Sequence, residues 1–306
     1  DDTITVKATP TATGDAPQKA AARLRSDYTA PTAGQMALFV GDVQVSEPVE
    51  AEADGIYTMT VSAADVLLQG NAEQNGNAIT LTAKFVGNDN MADAAGTVDV
   101  RISAVAKAEL DGKVIGYYGE SNLADAFEDS GNADATFTLL ADVERTNTLT
   151  IKVNCTLDLG GHNITFTGTE YVWVQGLVTA MTIRGEGEII SEQSHALVVT
   201  GSVTLEGGTF TSNGGNSAGV YVNSAGASLS VTGEHVTIRN TGGGYGLAVN
   251  SAQSVQLSAG TYNSISVYSS NTLASLLAEN CAYYKGSTPI LLSELADQKE
   301  LTGTVT

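Results

Sequence analysis

The side chains able to do chemistry are thinly spread. In the second half of the chain the acids Asp158, Glu186, Glu188, Glu192, Glu206 and Glu234 stand apart from one another. Glycoside hydrolysis needs carboxylates held at a fixed separation on one face, and calcium-assisted elimination needs clustered carboxylates with a cationic base. Neither pattern is present. His162, His195 and His235 fall in different segments, and no His or Cys pair has metal-ligand spacing. Cys155 and Cys281 are two thiols in a long chain, which is no disulfide framework. The run Gly242-Gly243-Gly244-Tyr245-Gly246 lacks the basic residue and helix of a phosphate cradle. No catalytic residue, metal ligand or cofactor is therefore assigned. What remains is aromatic: the sole tryptophan, Trp173, two residues from Tyr171, and then Tyr221. Rings on an exposed sheet contact the apolar faces of sugars or anchor a protein partner.

Those rings are useful only if the surrounding elements turn them outward. Of 306 residues, 42% are apolar, enough for a core, while 33 Gly and 5 Pro suit short strands joined by tight turns. The formal charge of -20 argues against nucleic acid, whose phosphates want a basic face. It also argues against anionic membrane surfaces, and against uronate polymers unless calcium bridges them. No apolar run approaches the roughly 20 residues of a membrane span, so no insertion is expected from this segment. The polar opening Asp1-Asp2-Thr3 is no leader, and the chain reads as a piece of something longer.

Residues 1–105 alternate with period two. Strands are predicted over Thr3 to Ala8, Met36 to Val40, Ile56 to Val61, Ile79 to Val86 and Thr97 to Ser103. Turns at Gly41-Asp42, Asp54-Gly55 and Asn75-Gly76 separate them, which suggests a β-sandwich. Residues 106–147 form a junction with a helix over Ser121 to Asp129. Ser121 or Asn122 caps it, and Leu123, Ala126 and Phe127 share one face. The strand Thr136 to Val143 follows.

Residues 148–306 carry an internal repeat. An apolar strand ending in a glycine turn recurs with anchors Leu159, Ile183, Leu205, Val231 and Leu257, spaced 24, 22, 26 and 26 residues apart. A second strand follows in the same register, with inward pairs Val172/Val174, Leu197/Val199, Val220/Val222, Leu247/Val249 and Ile265/Val267. Ile164, Ile189, Phe210, Val236 and Tyr262 mark a third. Three short strands per repeat with no helix describe one coil of a right-handed parallel β-helix, whose coils bury their apolar stripes only by stacking. Alternation points Cys155 inward in the first full coil. Cys281 lies beyond the last, so with coils about 4.8 Å apart the two thiols stay unbonded.

Two stretches resemble known families. Phe39-Val40-Gly41-Asp42, Gly55-Ile56-Tyr57 and Ile79 to Asn88 are similar to the bacterial Ig-like repeats of surface adhesins, over roughly 65 residues. Leu110-Asp111-Gly112-Lys113, Thr138-Leu139-Leu140-Ala141-Asp142-Val143 and Thr156-Leu157-Asp158-Leu159-Gly160-Gly161-His162-Asn163-Ile164 resemble the opening coil of pectin-lyase-like β-helix modules in large surface proteins of gut Firmicutes. Ser275 to Tyr284 resembles their closing segment. The resemblance implies an all-β chain with an Ig-like sandwich, then a β-helix with a small helical cap, on the surface of a Gram-positive bacterium. It supplies no ligand.

With the valines inward, the outward column of the second strand is Trp173, Val198, Tyr221, Ala248 and Ser266. Beside it run Tyr171, Ala196, Gly219, Gly246 and Ser264. Small neighbours would leave Tyr171, Trp173 and Tyr221 clear as a binding face. Arg184 and Glu206 fall in one column as a ladder pair, and Asn223 and Asn250, with Thr200 before them, as a polar ladder. The leading expectation is a non-catalytic adhesin-like or display segment that binds glycan or a host surface protein. The rivals are a polysaccharide lyase or glycoside hydrolase and a purely structural stalk.

Overall fold

The computed structural model describes residues 3–10, 23–24, 28–70, 76–86, 94–268, 273–279, 281–285, 287–290 and 300–305. Asp1, Asp2, Asn75, Gly87, Asn88 and Asn280, used above for the opening, a turn and two motifs, lie outside them. The chain is all-β. It divides into two compact units: Asp1–Ala104 with Val114–Ser121, and Val105–Lys113 with Asn122–Thr306.

In the first unit Thr3–Ala8 pairs antiparallel with Tyr57–Ser62, placing Val6 beside Met59. A second sheet runs Arg23–Leu24, Val43–Gln44, Gln35–Val40, Ala78–Phe85, Ala94–Arg101. Period-two burial of Tyr57, Met59 and Val61 and of Ile79, Leu81, Ala83 and Phe85 gives each strand one inward face. A helix over Ala63–Gly70, absent from the expected elements, packs Val66 and Leu67 into this core. Its start was written in the sequence as Ser62-Ala63-Ala64-Asp65, a capping signature, and the Asp65 N–H donates to Ser62 Oγ at 3.4 Å.

The second unit is a parallel β-helix of about five turns, coiling in the right-handed sense that parallel crossovers take. On its first face Thr136–Leu139, Cys155–Asp158, Met181–Arg184, Ser202–Leu205, Ser228–Val231 and Ser254–Leu257 stack in order. The second face stacks Val143–Arg145, Ile164–Phe166, Glu188–Ser191, Thr209–Ser212 and Thr237–Asn240. The third stacks Leu149–Ile151, Val172–Val174, Leu197–Val199, Ala218–Asn223 and Tyr245–Ser251. Thr261–Val267 completes both of the latter faces.

The inward pairs of the third face stand in the expected register. Val222 lies between Val199 and Val249 and is fully buried. Two anchors move. Leu157, not Leu159, aligns with Ile183, so the first repeat is 26 residues long. Ile238, not Val236, aligns with Phe210 and Tyr262. Leu159 and Val236 are buried as well, but in the corners beside the strands. The predicted helix shrinks to Leu123–Ala126, with a 3-10 turn at Ser130–Asn132. Asn122 caps it by position only, because its side chain makes no cap bond. Leu123, Ala126 and Phe127 are buried as expected.

Corners are tight enough to demand glycine. Gly187 adopts φ 131, and a Cβ there would strike the His162 carbonyl of the coil before it. The glycine run from Gly242 wraps around Asn240. Its Oδ1 accepts from the Gly242 and Gly244 N–H groups at 2.9 and 2.7 Å, and its Nδ2 donates to Ser212 Oγ at 2.9 Å. Buried Ser191, Ser212 and Asn240 thus continue a column that runs up from Arg145 and Phe166, and the side chains of all three are hydrogen-bonded.

Both ends of the β-helix are closed. Ala106–Leu110 pairs antiparallel with Thr136–Leu139 on the first face, and Leu123–Ala126 packs near Leu149–Ile151. At the far end Leu273–Leu276 packs on the last first-face strand, with Leu276 buried. Glu300–Val305 pairs antiparallel with Thr261–Val267. Cys155 is buried and Cys281 half-buried, and both thiols are free.

Candidate functional site

The third face places Trp173, Val198, Tyr221, Ala248 and Ser266 in one outward column on consecutive coils. Trp173 and Tyr221 are therefore two coil steps apart, about 10 Å. Tyr171 flanks the same strand as Trp173, and all three rings are half-exposed.

Each ring is also held by a polar or aromatic neighbour of the adjoining coil. The Trp173 indole N–H donates to Thr200 Oγ1 of the next coil at 3.0 Å. Tyr221 stacks on His195, with centroids 4.5 Å apart and planes within 16°. Tyr171 meets His195 edge-on at 6.4 Å. Val198, Ala248 and Ser266 point away from the core, yet they are only 8%, 4% and 2% exposed. Higher up, Tyr245 and Tyr268 enter the third face from opposite ends of neighbouring strands, and their rings meet edge-on at 5.9 Å. From Tyr171 to Tyr268 every coil thus contributes a ring: Tyr171 with Trp173, His195, Tyr221, Tyr245, Tyr268.

His195, Tyr245 and Tyr268 escaped the sequence reading. His195 and Tyr245 sit at the corner, where strict alternation no longer sorts inside from outside, and Tyr268 lies one residue past the last inward valine. The signal that could have found them is the recurrence of one aromatic residue per repeat. The Ala218 N–H donates to His195 Nδ1 at 2.8 Å. Burial pushes the His195 pKa below its usual value, and the bond to Nδ1 requires that nitrogen to be unprotonated.

A polar rail borders the rings. Gln175, Thr200 and Asn223 follow the inward valines of successive coils. Asn250 donates from Nδ2 to Asn223 Oδ1 at 2.8 Å, the amide ladder expected, with a bulge shifting the register between Val222 and Asn223.

Charge separates the faces. The first face carries Asp158 and Arg184 on its outward side, and the second carries Glu144, Glu188 and Arg239. The outward residues of the third face from Tyr171 to Tyr268 include no charged side chain. Glu170 stands just before them at a corner, accepting from Thr148 and Thr169 hydroxyls at 2.9 and 3.3 Å.

Two acids of the other faces, Asp158 and Glu188, are engaged. Arg184 is aligned with Glu206 but its ion pair is with Asp158 of the preceding coil, Nε to Oδ2 3.0 Å, which corrects the expected Arg184–Glu206 pair. Asp158 Oδ1 also accepts the Gly160 N–H, so the turn fixes its carboxylate where Arg184 reaches it. Arg239 pairs with Glu188 at 2.8 Å, and the Thr211 hydroxyl bridges them. His162 Nδ1 lies 3.6 Å from Asp142, and His235 is exposed.

Among the described residues no group of three or more His, Cys, Asp or Glu is placed to hold a metal ion. No described helix is long and apolar enough to cross a membrane. No protein-family model matches the chain, and no curated protein or solved structure matches it significantly.

Proposed function

We propose that this chain is a non-catalytic binding or display segment of a bacterial surface protein, and that the third face of its β-helix is the contact surface for an extracellular glycan or host protein. The observation that carries the reading is the strip of rings, one or more per coil, on a rigid sheet. Rings held by neighbours lose little freedom on binding, so the contact retains more of its free energy. The acids Asp158 and Glu188 support the non-catalytic part, since each is engaged by an arginine and they stand on different faces, not paired across one site. The resemblance to surface-protein β-helix and Ig-like modules supports an extracellular, wall-attached setting.

The test is an array of glycans and immobilised host surface proteins, probed with wild type and with a Trp173→Ala, Tyr221→Ala double variant. At about 1 kcal/mol per ring, the double variant should bind about thirtyfold more weakly. Equal binding by a folded variant removes this face. Release of reducing ends or unsaturated products from pectin, alginate or glycosaminoglycan would establish the enzymatic alternative instead.

A further inference from the structure

Resting on that reading of the third face, we infer that its ligand is a neutral, linear polysaccharide laid along the coil axis. Three observations converge. The rings succeed one another along the axis, from Tyr171 and Trp173 through His195 and Tyr221 to Tyr245 and Tyr268. Four coil steps separate the first from the last, about 19 Å at 4.8 Å per step, so a ligand touching the whole strip must be extended and parallel to it. The polar rail of Gln175, Thr200, Asn223 and Asn250 runs beside the rings in the same direction. A pyranose chain offers this pair of surfaces: C–H faces for the rings, and equatorial hydroxyls at its edge for amides and hydroxyls that both donate and accept.

Charge selects among polysaccharides. The chain carries -20 overall, yet the described outward residues of this face from Tyr171 to Tyr268 include no charged side chain; Glu170 stands at the corner beside Tyr171, and Glu300 of the closing strand aligns with Ser266. A uronate or sulfated chain would find no cation among these described residues and would meet a repelling field. A protein partner suited to so acidic a molecule would be basic, and it would find its counter-charges on the other two faces. The uncharged strip therefore suits a neutral glycan.

Trp173 is the only tryptophan, so its fluorescence reports on this face alone. The probes are β-1,4-linked gluco-oligosaccharides of two to six units and oligogalacturonates of matched length, titrated into the whole chain at low salt. The expected result is a shift in Trp173 emission with the neutral series, with affinity rising at least tenfold from two to five units. The galacturonates should bind at least tenfold more weakly. Tyr268→Ala, at the far end of the strip on an exposed residue, should weaken the six-unit ligand several-fold and leave the two-unit ligand read at Trp173 unchanged. Affinity independent of length, equal or tighter binding of galacturonates, or no response to any neutral oligosaccharide would overturn the inference. Loss of a host-protein contact in the Trp173→Ala, Tyr221→Ala variant, with no oligosaccharide response, would overturn the glycan assignment alone and leave the third face as a binding surface.

Discussion

His195 is the residue on which the ring strip turns, because it touches Tyr171 and Tyr221 and holds the Ala218 N–H. Protonating Nδ1 would remove that acceptor and leave a half-buried charge. Its folded pKa lies below the ordinary 6.5, so its contribution to stability is full above about 6.5 and is lost as pH falls below that toward the folded value. Wild type should lose more melting temperature between pH 7.5 and pH 5 than His195→Asn, whose side-chain oxygen can still accept the Ala218 N–H. Parallel losses in the two proteins would show that His195 is not coupled to stability. Burial, with a smaller push from Asp134, raises the Cys155 pKa to about 12, which leaves almost no thiolate at neutral pH. A thiol reagent on the native chain should therefore modify Cys281 and spare Cys155 until denaturant is added, as mass spectrometry of the peptides would show.

At the level of strands, stability depends on columns shared between coils. Val222→Asp would place an unpaired charge between Val199 and Val249, costing about 3 kcal/mol or more and lowering the melting temperature by about 10 °C. An unchanged melting curve would mean that the inside and outside of the third face are exchanged. These third-face columns were legible because alternation holds along Val172–Val174 and its successors, where valines and leucines face in. The anchors Leu157 and Ile238 were not, because Leu159 and Val236 are apolar, buried and two residues away. Hydrophobicity alone cannot separate a strand position from a buried corner of the same parity. The rings were half legible for a related reason. Trp173 and Tyr221 follow the strand period, whereas His195 and Tyr245 stand at a bend. The helix at Ala63–Gly70 had its capping signature, but it follows directly on the strand Tyr57–Ser62, whose period masked it.

Across the whole β-helix, each terminal coil has one edge that would otherwise be open to pairing with another chain. At the far end that edge is Thr261–Val267, covered by Glu300–Val305. A chain cut after Ile290 should therefore self-associate, visible as a rise in mass by light scattering on a sizing column, while the full chain keeps its own mass under the same conditions. The stacking has a mechanical consequence too. Backbone bonds between coils lie nearly parallel to the long axis, so tension applied along that axis loads the coils in series, and the terminal coil yields first. A coil of 26 residues, such as Leu157 to Ile183, occupies about 4.8 Å of the stack and spans about 90 Å once drawn straight. Under flow or shear the molecule would lengthen in large discrete steps, each new length relieving the force on the coils still wound, so that a tether of this design dissipates load by unspooling before its attachments give way.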